Sequence, residues 1–149
     1  MSVFAFTGLS KAMETALLQA PAVADVVMRG RYRALAQAES TGVVIRWDRS
    51  TADQPLMAQA PMSWATQMAL DLYVRADASQ APEDALEPLL QAVWNRLQVL
   101  DLSSLAVTNL NASSELAMAL VDHDPNLACV TLFLTVEHDT QATTLNVRS

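Results

Sequence analysis

The sequence predicts a single α+β domain over residues 1–149, with a mainly antiparallel or mixed sheet and two principal helices packed on it. Three observations predict this class. The hydrophobic period changes along the chain, from a helical stretch to alternating segments, then one strongly amphipathic helix from Leu86 to Leu97, then three more alternating segments. The length of 149 residues suits one domain, enough to bury roughly 70% of the unfolded surface. The composition is 52% hydrophobic but only 5% aromatic, so the core is expected to consist of Ala, Leu, Val and Met.

The first helix is predicted from Ser10 to Ala20, because Leu9, Met13, Ala16, Leu17 and Ala20 recur at helical spacing. Ser10 is placed to cap it and Pro21 to close it. From Asp25 to Leu35 an extended segment is expected, with Gly30 marking a bulge or bend. Val43, Ile45 and Trp47 alternate with Val44, Arg46 and Asp48, the pattern of a half-buried strand. Periodicity then fails, and with Pro55 and Pro61 the stretch from about 48 to 62 is predicted as a long loop. From Ala65 the strand pattern returns, with Met68, Leu70, Leu72 and Val74 on one face and Gln67, Asp71, Tyr73 and Arg75 on the other.

Pro82, Glu83 and Asp84 make a favourable helix start, the acids complementing the positive end of the helix dipole. Leu86, Leu89, Leu90, Val93, Trp94 and Leu97 then form one apolar stripe, interrupted by Pro88, which predicts a kink or a second start. Leu105–Asn111, Glu115–Val121 and Cys129–Glu137 are expected as strands. Asp122–Asn126 is expected as the hairpin turn between the last two. The polar tail after residue 140 is expected to fray.

Several function classes are disfavoured. The net charge of −7 argues against general nucleic-acid binding, which needs clustered cations. The longest apolar runs, such as Val130–Val136, fall far short of the roughly 20 residues of a membrane span, and no signal peptide is expected. Cys129 is the single cysteine, which excludes an internal disulfide, fits a reducing compartment and suits a small buried hydrophobe. Glycine stands only at positions 8, 30 and 42, so no phosphate-cradling loop is present. Ser103, Ser104, Ser113 and Ser114 have no nearby histidine partner that the sequence can justify, and no catalytic residue, cofactor or metal site is assigned. His123 and His138 each lie between acids. They suit an exposed turn and an exposed strand end better than a metal site, since ligand spacing is missing. Asp71 and Asp77 fit a solvated strand edge.

The candidate functional residues are therefore interface residues. Arg29, Arg31 and Arg33 with Tyr32 could form a solvated or intrachain face, meet acids on a neighbouring subunit, or contact nucleic acid, the last disfavoured by the acidic total. Trp47 and Trp64 bracket the predicted loop and suit either ordinary packing or an interface, where tryptophan is enriched. Trp94 fits the core stripe.

The layout resembles the tail terminator proteins of long-tailed bacteriophages, the minor tail protein U group and its prophage relatives. The resemblance covers residues 10–140 and is carried by four stretches. These are the opening helix ending in Ala20-Pro21, the strand pair Val43-Val-Ile-Arg-Trp47 and Met68-Ala-Leu-Asp-Leu-Tyr-Val74, the helix Asp84–Leu97, and the closing Val130–Thr140 strand. It implies a subunit, monomeric in solution, that forms a ring, expected to be a hexamer, on the last ring of the tail tube protein. Such a ring ends tube polymerisation and offers a surface to a head-completion or connector protein. The implied location is the virion tail, after assembly in the bacterial cytoplasm. No residue-level motif transfers with the resemblance. The alternatives are another head–tail connector or neck protein, or a small-ligand-binding or enzymatic domain. The last would have a pocket between sheet and helices and perturbed acids near Asp71, His123 or His138.

Overall fold

The computed structural model describes residues 3–30, 35–36, 38–53, 60–77, 79–120 and 126–148. Its elements run α1 (Ala5–Leu18), β1 (Val26–Arg29), β2 (Thr41–Asp53), β3 (Met62–Arg75), α2 (Pro82–Gln98), a 3-10 turn (Ser103–Leu105), β4 (Val107–Leu120) and β5 (Leu127–Thr140). The five strands form one mixed sheet in the order β1-β2-β3-β5-β4. Only β1–β2 is parallel; the other three pairings are antiparallel. The chain has the α+β architecture that its periods predict. Among the described residues no helix is long and apolar enough to cross a membrane.

Both helices pack on one face of the sheet. Leu9, Met13 and Leu17 of α1 and Leu86, Leu89, Val93 and Leu97 of α2 share a core with Val43, Ile45, Met68, Leu70 and Leu72. Leu132, Leu134 and Val136 extend that core onto β5. Each large side chain buried here contributes about 1.5–3 kcal/mol. The space between sheet and helices is thus filled with apolar side chains. The opposite face carries Gln67, Ala69, Asp71 and Tyr73 from β3, as their register against β2 and β5 dictates.

Four boundaries differ from expectation, each for a physical reason. Helix α1 begins at Ala5, and Ser10 lies buried inside it instead of capping it. Phe4 occupies the cap position without a side-chain hydrogen bond. The Leu145 carbonyl accepts the Ala5 N–H at 3.0 Å in its place. The tail after residue 140 is therefore docked, with Asn146 bridged to Phe4 and Val147 to Thr140.

β2 continues to Asp53 and β3 begins at Met62, so the predicted loop of 48–62 shrinks to the stretch between them. Residues 54–59 lie outside the described residues. The period fails at Asp48 because a bulge between Trp47 and Arg49 inserts a residue and flips the alternation. In β4 two extra residues between Ala112 and Glu115 interrupt the pairing without changing the face of the residues that follow, so β4 reads as two strands in the sequence and is one in the fold. α2 is one helix that runs through Pro88, which does not start a second helix. The predicted turn at Asp122–Asn126 falls mostly outside the described residues.

Two glycines hold close backbone contacts. Gly30 has φ 74° and ends β1, donating its N–H to the Ile45 carbonyl at 2.8 Å. A Cβ on Gly42 would stand 2.8 Å from Leu35 Cδ2, so any larger residue there would push that side chain off the strand.

Candidate functional site

Of the six residues singled out in the sequence, Arg31, Tyr32 and Arg33 lie outside the described residues. Arg29 ends the edge strand β1, and its Nε stands 3.4 Å from Glu14 Oε2 of α1. Both side chains stay about one-third exposed, so the pair contributes little to stability.

Trp47 and Trp64 come together around a residue that the sequence did not flag. Phe6 of α1 is 2% exposed. Trp47 stacks on it, centroids 4.7 Å apart and planes at 14°. Trp64 meets it edge-on at 5.3 Å and 86°, and His138 at 5.3 Å and 80°. Both indole N–H groups are satisfied, Trp47 donating to Ser50 Oγ and Trp64 to Thr140 Oγ1, each at 2.9 Å. The tryptophans thus brace the helix start and the docked tail against the sheet.

His138 corrects an expectation. It is not an exposed strand end but 1% exposed beneath Phe6. Its Nε2 lies 2.6 Å from Thr66 Oγ1, which lies 2.7 Å from Ser50 Oγ, so a hydrogen-bonded chain runs from the imidazole to the Trp47 indole. Its Nδ1 is buried without a partner among the described residues. Burial lowers the imidazole pKa, the Asp139 charge acting weakly the other way. The signal was present: Leu132, Leu134, Val136, His138 and Thr140 share one parity, the core side of β5. His123 lies outside the described residues.

Asp71 is likewise buried instead of solvated. On the helix-free face it accepts two hydrogen bonds from Arg46, from Nε at 2.6 Å and Nη2 at 3.0 Å, and a third from Thr131 Oγ1 at 2.6 Å. This carboxylate is spent on joining three strands, and Asp77, beyond the end of β3, is exposed. Cys129 is buried beside it, and burial pushes its thiol pKa up, against a hydrogen bond with Tyr73. The thiol is therefore a poor nucleophile.

The concave surface lies elsewhere, between α2 and β4. Leu86, Leu90 and Val130 floor a groove whose outer wall is Leu116 and Met118 of β4. Trp94 closes one end of it, half-buried at the core's margin instead of inside the stripe. Leu116 and Met118 are each 51% exposed, and Glu83 and Glu87 of α2 stand on the rim. Among the described residues neither Glu83 nor Glu87 has an ion-pair partner. β4 is also the sheet's outer strand, 14 residues long, with one backbone edge unpaired within the sheet. Sequence reasoning missed this surface because Leu116 and Met118 alternate as core residues would.

No protein-family model matches the chain, and no curated protein matches it by sequence. Among solved structures, its fold is similar to that of a chain in the virion of a native gene transfer agent (GTA) particle. The TM-score is 0.64 at 14% sequence identity, covering 93% of this chain and 100% of that one. What the two chains share is the fold.

Proposed function

We propose that the protein is a structural component of a phage-like virion, and within it a tail terminator. It would form a ring on the end of the tail tube, stop tube polymerisation and offer a surface to a head-completion or connector protein. The observation that carries this proposal is the fold likeness to a GTA virion chain, which extends over the whole of that chain. The side-chain chemistry is compatible: the polar groups at the aromatic cluster and around Asp71 are used in bracing the fold, and the exposed chemistry is an apolar groove along an open sheet edge. Such a surface suits assembly.

Deleting the gene in a particle-producing strain tests it. Tails of uncontrolled length that fail to join heads, restored by the gene in trans, are the expected result. Tails of normal length with no heads attached would point to a neck or connector role. Intact, infective or gene-transferring particles without the protein would refute the virion role.

A further inference from the structure

The two edges of the sheet differ in chemistry. The β4 edge is long and displays Leu116 and Met118 in its second half, and Glu83 and Glu87 of α2 give that side negative charge. The opposite edge, β1, ends in Arg29, and the chain continues with Arg31 and Arg33. No acidic residue occurs between Asp25 and Glu39. Three of the chain's nine cations thus fall within five residues of sequence in an otherwise acidic protein.

We propose that the β4 edge and the α2–β4 groove receive the β1 edge of a second copy of this chain, continuing the sheet from one subunit into the next. Three observations carry the proposal. First, soluble proteins protect edge strands with charge, short length, bulges or a covering element. The irregularities of β4 lie before Glu115, and the strand beyond them displays Leu116 and Met118, which stay covered only if something pairs there.

Second, direction fits. β1 runs parallel to β2, β2 antiparallel to β3, β3 antiparallel to β5 and β5 antiparallel to β4. β4 and β1 therefore point in opposite senses, and a subunit added in the same sheet orientation would pair antiparallel. Third, the charges meet. Arg29 pairs with Ile45 in register, which puts it on the helix-bearing face. In a continued sheet that is the face on which Glu83 and Glu87 stand. A β4-to-β4 dimer would instead bring two acidic rims together, so the self-complementary alternative is disfavoured.

An edge-to-edge contact of two different surfaces is heterologous, and closes into a ring where its rotation closes. The inference deepens, and rests on, the reading of the chain as a self-assembling virion subunit. The test uses a photo-crosslinking benzophenone residue in place of the exposed Met118. A mixture of isotope-labelled and unlabelled full-length chains would be irradiated at concentrations up to about 1 mM, and also in purified particles.

Mixed-isotope crosslinks from position 118 to residues 24–30 are expected. They should fall at least about tenfold in Arg29→Glu and return when Glu87→Arg is added, the gain from swapping a charge pair. Crosslinks from position 118 to β4 of another copy or to any other surface would overturn the proposal, as would none in either preparation. The terminator reading fails separately, through normal tails in the deletion strain. An edge-to-edge crosslink with normal tails would keep the contact and discard the role, and the deletion phenotype with crosslinks elsewhere would do the reverse.

Discussion

Two apolar clusters lie on this molecule, one closed and one open. At one end of the sheet, Phe6 holds Trp47, Trp64 and His138 around it, and the indole N–H groups are spent on Ser50 and Thr140. At the β4 edge, Leu90 and Trp94 face Leu116 and Met118 across a groove with nothing from this chain laid along it among the described residues. The tryptophans that look like interface residues in the sequence both pack on Phe6, although Trp47 stays 48% exposed, and the one that looks like core lines the open groove. An aromatic residue's role follows from whether its polar atom and both faces find partners nearby, which residue type alone does not tell.

The sharpest separation of the two clusters is by stability. Phe6→Ala removes the ring on which three others rest and should cost about 3–5 kcal/mol, read as a lowered midpoint in urea unfolding. A loss below about 1 kcal/mol would mean that the cluster contributes little to holding α1 and the tail. A second effect belongs to the closed cluster alone. Because burial lowers the His138 pKa below 6.5 in the folded protein, the unfolded chain binds more protons in acid. Stability should therefore be flat above about pH 7 and fall as pH drops through about 6.5. His138→Gln should remove that part of the slope, and an unchanged slope in the variant would assign it to other groups. The smallest effect is at the open cluster. Leu116→Ser with Met118→Ser should change stability by no more than about 0.5 kcal/mol while abolishing the contact proposed for that edge, seen by sedimentation at high concentration or by failure to enter particles.

α2 and the centre of β3 were legible in the sequence because their periods of 3.6 and 2 run unbroken from Leu86 to Leu97 and from Met68 to Val74. The outer half of β2 and the unity of β4 were not, because a one-residue bulge inverts the pattern in β2 and two extra residues interrupt it in β4 between Ala112 and Glu115. His138 was misjudged by its acidic neighbours, while its strand parity places it beneath Phe6. Asp71 was read as solvated because it alternates with Leu70 and Leu72, and its burial comes from Arg46 and Thr131 on the neighbouring strands. Of the interface candidates within the described residues, Arg29 lies at a surface used in the proposed assembly, and Trp47 and Trp64 pack on Phe6, with Trp47 still 48% exposed.

The amino-acid sequence by itself determined the class: alternating and helical periods, a core of aliphatic side chains and two amphipathic helices admit a two-layer α+β domain, because each element must bury its apolar face. It also determined the charge asymmetry, since the arginine run and the acids opening α2 are local in the chain. The tertiary structure decided which surfaces remain open. Burial of the Phe6 cluster depends on residues 6, 47, 64 and 138 meeting in space, and capping of α1 depends on the backbone of residue 145. Strand order leaves β1 and β4 at the two edges, and no local pattern encodes that order, because it is set by how β3 comes to lie between β2 and β5.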